Sequence, residues 1–195
     1  MLFRSELFKK LGGLGVMSIP FAEKHGGMGL GVFEAVLAIE EVARADQSLA
    51  VSAMVSMATG LTVARFGTEK LAEQWLPEIV TGQKICAIAG TEPDAGSDTA
   101  GFKTRAVRRG DDWVVNGSKA YITNAGTEIS SGALTLAVTT PPAAEKKDFS
   151  LFAIPLGRAG PPHAPPHPPP PRPPRRPPPP PPHPPPPPPP PPPPR

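Results

Sequence analysis

The chain has 195 residues, and both its formal charge of +3 and its wealth of proline belong to one end. Residues 161–195 hold 27 of the 33 prolines with four arginines, three histidines and one alanine; setting those arginines aside leaves 16 Lys plus Arg against 17 Asp plus Glu in residues 1–160. The near-neutral body argues against nucleic acid as a partner, since its one basic cluster, Lys103, Arg105, Arg108 and Arg109, mostly alternates as on a solvated strand face, and the single cysteine, Cys86, excludes an intramolecular disulfide framework.

One hundred and sixty residues are enough to bury a core as one or two small domains. No apolar stretch approaches the ~20 residues of a membrane span, and residues 1–10 lack the apolar centre of a secretory signal. The expected location is therefore cytoplasmic, or the mitochondrial matrix in a eukaryote.

Residues 2–11 repeat Leu2, Phe3, Leu7 and Phe8 at helical spacing, and "LGGLG" at residues 11–15 ends the pattern. This reads as a helix already inside a bundle, so Met1 marks a truncated start as readily as a natural one. Residues 18–31 are a glycine-rich connection without the GxGxxG spacing or a preceding strand, and His25 within it reads as a solvated loop histidine. Residues 32–45 place Val32, Val36, Ile39 and Ala43 on one stripe, as in a core-facing helix. Asp46 and Ser48 offer N-cap oxygens to a helix over residues 49–66, apolar on every side and expected to be buried all round, with Met54 and Met57 as packing. Thr68 caps a further helix, and Pro77 is expected to open a separate turn ending at Gly82.

At Lys84 the pattern changes to short strand-like pieces: "KICAIAG", "FKTRAVRR", "DDWVVNG" with an Asn-Gly turn signal, "SKAYITN", "ALTLAVTT" and "DFSLFAIP". Helices followed by successive strands, without alternation, imply an α+β, multidomain chain. Cys86 falls in an apolar run as a buried small hydrophobe.

Two stretches carry chemistry. "TEPDAGSD", residues 91–98, sets hydroxyls at Thr91 and Ser97 around a fixed φ at Pro93 and the bare backbone of Gly96, which suits an anionic, planar ligand; the same letters also spell an ordinary surface turn. "NGSKAYITNAG", residues 116–126, brings Tyr121 and Thr123 onto one face of a strand at i and i+2. Glu92 is expected to satisfy local backbone donors.

With "IPFAEKHGGMGL" at residues 19–30 upstream, these motifs resemble, in order, those of the acyl-CoA dehydrogenase family, over residues 2 to about 155. The resemblance implies an N-terminal all-α helical domain (1–83, truncated at its start), a partial β-barrel middle domain (84–157) with FAD against it, and a C-terminal helical bundle that is missing here. It implies that Thr91 bonds the pyrimidine side of the flavin, that Ser97 lies by the FAD pyrophosphate and the acyl-CoA, and that Thr123 bonds near flavin N5. Tyr121 stands where relatives commonly stack a Trp, while Ile88, Ala89 and Gly90 give mainly backbone contacts; Gly96 and Ile122 complete the cofactor set. The family's catalytic base belongs to the missing bundle, so no catalytic residue and no metal ligand is assigned. The implied activity is α,β-desaturation of an acyl-CoA with hydride transfer to FAD, an oxidoreductase of fatty acid or amino acid catabolism. Electron-transfer flavoprotein is the implied acceptor and a dimer or tetramer the assembly. As written the chain is expected to be inactive. An acyl-CoA oxidase-like flavoprotein and a non-enzymatic adaptor acting through the proline tail are the alternatives. Residues 158–195 read as a disordered polyproline tail arising from a frameshift or sequence artefact, since Pro, Arg, Ala and His share C- and G-rich codons.

Overall fold

The computed structural model describes residues 5–141 and 146–156; residues 2–4, expected to open the first helix, and the whole proline-rich tail lie outside the described residues. Four helices lead: α1 (Ser5–Gly13), α2 (Val32–Ala45), α3 (Gln47–Phe66) and α4 (Glu69–Val80). Their starts follow from local chemistry. The Gly31 N–H donates to Glu34 Oε2 (2.7 Å), the Leu49 N–H to Asp46 Oδ1 (3.0 Å) and the Leu71 N–H to Thr68 Oγ1 (3.2 Å). A side-chain N-cap of the Asp46 or Thr68 kind typically contributes about 1 kcal/mol.

Four expectations about the helices are corrected. On α2 it is Ala35, with Ile39 and Val42, that packs inward, while Val32 and Val36 of the expected stripe are exposed beside Phe33 and Leu37. α3 is not buried all round: Ala50, Ala53, Met57, Gly60 and Val63 face the core, but Val51, Met54 and Ala58 form an exposed stripe. This 20-residue helix is also long and apolar enough by composition to cross a membrane, against the expectation that no stretch is, yet it packs on α2, α4 and β1 as a core helix does. Pro77 opens no new turn but lies inside α4. Both Pro77 and Glu73, whose carbonyl loses its partner, are exposed, so solvent can satisfy that group.

The sheet is built on β4 (Ser130–Val138). β1 (Ile85–Ala89) runs parallel to it from Ser130 to Thr135, and β5 (Phe149–Pro155) pairs antiparallel along the other edge. β2 (Arg105–Arg109) joins β4 at the single pair Arg105–Val138, and β3 (Asp112–Asn116) completes a hairpin with β2. β1 and β2 thus follow each other along one edge of β4, and residues 90–104 are an excursion between them. The hairpin turns at Gly110 (φ 63°), so the Asn116–Gly117 signal is not its turn. Gly117 (φ 152°) instead presses on Thr104: a Cβ there would lie 2.4 Å from Thr104 Oγ1, a contact only glycine avoids.

One apolar core runs from the helices into the sheet, joining Phe8, Met17, Phe21, Met57, Leu76 and Ile79 to Ile85, Cys86, Ile129 and Leu134. Each such large side chain contributes roughly 1.5–3 kcal/mol on burial. Gly132 of β4 lies under Trp75 of α4, where an added Cβ would be 2.3 Å from the indole. Cys86 donates its N–H to Ser56 Oγ (3.2 Å), and its Sγ is 3.2 Å from Ser131 Oγ. Burial pushes its thiol up to about 11, in keeping with a packing role.

Candidate functional site: two laced loops at the end of β1

β1 delivers the chain to the site. Ala87 and Ala89 point inward and pack with Ala133, while Ile88 points out and is 42% exposed. The excursion then folds around Glu92. Its N–H donates to the Ala95 carbonyl (2.8 Å) and the Ala95 N–H returns to the Glu92 carbonyl (3.3 Å), closing a tight turn over Pro93 and Asp94. The Glu92 side chain, 5% exposed, accepts from the Lys103 N–H (2.7 Å), the Thr104 N–H (2.9 Å) and Lys119 Nζ (3.0 Å). Burial alone would raise this carboxyl, but these donors outweigh it and hold the group down at about 2. Glu92 is therefore an ionised structural anchor for backbone donors, as expected from the sequence. Asp98 then accepts from the Ala100 N–H (3.0 Å) and caps a short 3-10 turn, Thr99–Gly101.

The second motif runs alongside the first. The Ala120 N–H donates to the Thr91 carbonyl (2.9 Å), and Lys119 Nζ donates to the Gly90 carbonyl (2.8 Å) while lying 4.6 Å from the centre of the Phe102 ring. At the far end Asn124 Nδ2 donates to the carbonyls of Cys86 (3.0 Å) and Ser52 (2.9 Å), tying the segment to β1 and to α3 together. The strand expected over "SKAYITN" is absent: residues 117–126 are loop and turn. Tyr121 (φ 58°) and Asn124 (φ 71°) take left-handed conformations, each at a cost of roughly 1–2 kcal/mol, and these reverse the chain instead of extending it. Ile122 packs on Ala87, Ala89 and Ala133, and its neighbours Tyr121 (91% exposed) and Thr123 face out.

Of the residues singled out from the sequence, Gly90 and Thr91 meet residues 119 and 120, and Ala89 meets Ile122. Gly96 and Ser97 lie on the exposed outer part of the loop. Among the described residues the hydroxyls of Thr91, Ser97 and Thr123 make no hydrogen bond, so all three remain available to a ligand. A Cβ at Gly90 would meet nothing within 4 Å, and one at Gly96 only the Thr91 methyl at 3.9 Å. Free hydroxyls, open backbone and the exposed apolar faces of Ile88 and Tyr121 are what a planar group with a polar edge needs, and the donor set fits a flavin. Among the described residues no group of three His, Cys, Asp or Glu could hold a metal ion. Sequence reasoning missed Lys119 and Asn124. The signal for Lys119 was a lone cation in the second motif to match the carboxylate of the first.

The chain matches the family descriptions "Acyl-CoA dehydrogenase, N-terminal domain" over residues 2–83 and "Acyl-CoA dehydrogenase, middle domain" over residues 87–170. It is 40% identical over 124 residues to the probable acyl-CoA dehydrogenase YngJ of Bacillus subtilis, covering 63% of this chain and 33% of the relative. To the long-chain specific mitochondrial acyl-CoA dehydrogenase of Rattus norvegicus it is 38% identical over 156 residues, 80% of this chain and 36% of that protein. A glutaryl-CoA dehydrogenase from Mycobacterium smegmatis, solved in complex with FADH2, superimposes with a TM-score of 0.70 at 32% identity over 79% of this chain and 38% of its own. The chain thus spans about two fifths or less of the length of these relatives. With two consecutive domain matches and the same fold at this level of identity, the chain belongs to the acyl-CoA dehydrogenase family.

Proposed function

We propose that this chain supplies the flavin-binding part of an FAD-dependent acyl-CoA dehydrogenase, residues 1–83 as its N-terminal helical domain and 84–157 as its middle domain. The observation that carries the reading is the lacing of residues 90–92 to residues 119–120, which sets the free hydroxyls of Thr91 and Thr123 on adjoining loops. Bound FAD would supply the acceptor for the β hydride of an acyl thioester. The chain's own work is to hold and orient it. Thr91 and Thr123 donate to or accept from the polar edge of the ring, Tyr121 and Ile88 cover its apolar surface, and the backbone of Gly90 and Gly96 with Ser97 borders the phosphates and the acyl-CoA. Ala89 and Ile122 anchor the two loops from below. Nothing in the matched region acts as a base in this reading.

The substrate is an acyl-CoA, the onward acceptor an electron-transfer flavoprotein, and the assembly a dimer or tetramer. The place of action is the cytoplasm of a bacterium or the mitochondrial matrix of a eukaryote, in line with a bacterial and a mitochondrial relative. The test is reconstitution of the purified chain with FAD. Retained yellow colour with quenched flavin fluorescence after desalting is the expected result, and a colourless protein refutes the reading.

A further inference from the structure

We propose that Lys119 and Glu92 are a positioning pair for the flavin site: their buried ion pair fastens the loop of residues 90–98 to the segment of residues 119–124 and thereby sets how the Thr91 and Thr123 hydroxyls are presented. The inference rests on the flavin reading above and assigns a role to two residues that touch the site only through others. The side chains are 10% and 5% exposed, and the pair is 3.0 Å long. Lys119 Nζ also holds the Gly90 carbonyl at 2.8 Å and lies against the Phe102 ring at 4.6 Å, so its contacts all belong to the first loop or its return arm. Glu92 in turn holds the N–H groups of Lys103 and Thr104, where the excursion rejoins the sheet. One carboxylate and one ammonium therefore connect the start of the loop, its end and the neighbouring segment. The Ala120 N–H to Thr91 carbonyl bond is the contact this arrangement keeps in register.

Removing either partner leaves the other buried without its counter-charge and with only its neutral contacts, a larger perturbation than losing an exposed pair. Both loops then lose their common anchor while the hydroxyls themselves stay in place in the sequence. That separates a positioning role from direct contact with the ligand.

The experiment compares the full chain with K119M, E92Q and K119R. Amide hydrogen exchange is read without FAD at Lys103, Thr104 and Ala120, with amides of α3 as the control for global folding. FAD affinity is read by fluorescence quenching, and the shape of the visible flavin bands reports the ring's surroundings. K119M is expected to speed exchange at the three amides, to weaken FAD by about tenfold or more and to alter the bands, while K119R restores most of all three. If K119M loses protection throughout α3, E92Q, which keeps the side chain's shape, carries the same comparison. Unchanged exchange at the three amides overturns the clamp, and faster exchange with wild-type affinity and bands overturns its role toward FAD. Failure of the wild-type chain to take up FAD refutes the underlying flavin reading, an outcome visible before any variant is made.

Discussion

Replacing Glu92 with Gln should remove a pH-dependent part of the fold's stability without changing the shape of the side chain. The native carboxyl titrates at about 2 against an ordinary value of 4.5, because the donors from Lys103, Thr104 and Lys119 outweigh the cost of burial. The difference corresponds to about 3 kcal/mol. Since the folded value is the lower one, this contribution is complete above pH 4.5, fades as the pH falls through that value and is gone below about 2. Urea denaturation of wild type and E92Q, monitored by far-UV circular dichroism between pH 7 and pH 2, reads the difference directly, and other carboxylates cancel in the comparison. The wild type should be more stable by about 3 kcal/mol at pH 7, and the gap should close by up to about 1.4 kcal/mol per pH unit in the acid range. Parallel stability curves for the two proteins would show that Glu92 is not the anchor its contacts indicate.

Other outcomes follow from the packing. Gly132→Ala places a methyl group 2.3 Å from the Trp75 ring, and the strain should cost about 1–3 kcal/mol, read as a lower denaturation midpoint with a shift in tryptophan fluorescence. The Cys86 thiol, held up at about 11, should resist a thiol-specific disulfide reagent at pH 8 in the native chain and react fully once unfolded. The same shift means that the thiol's contribution to stability is complete below the ordinary value of 9.0 and is lost as the pH rises through about 11, so the alkaline decline should be smaller in Cys86→Ala.

Much of the architecture was legible because single residues announce it. The bounds of α2 are those the periodicity predicts, and Asp46 and Thr68 cap the helices they precede. What could not be read was which side of an apolar helix meets the core: α3 is greasy around most of its circumference, and only packing reveals that Val51, Met54 and Ala58 are left outside. The β propensity of "SKAYITN" lost to tertiary contacts, since Asn124 bonding to two distant carbonyls and Ile122 packing on β1 hold the chain in a reversed path. At the site, the residues expected to face a ligand were visible as hydroxyls and glycines in a motif. Glu92 was visible as a holder of backbone donors, but its partner Lys119 was not, because a salt bridge between positions 92 and 119 has no local periodicity to betray it.

The route of β1 and β2 along one edge of β4 also bears on how the molecule assembles. The β2–β3 hairpin joins neighbours in sequence and can form early, but β1 finds its partner only when Ser130–Thr135 arrives, some 45 residues later, as in the Ile85–Ser130 pair. Until that long closure is made, the two ends of the 90–104 excursion have no common strand to return to. The loop that the sequence marks for the cofactor should thus be among the last parts to become ordered. Cofactor capture then comes late in folding, and a slow refolding step should precede any gain in flavin binding.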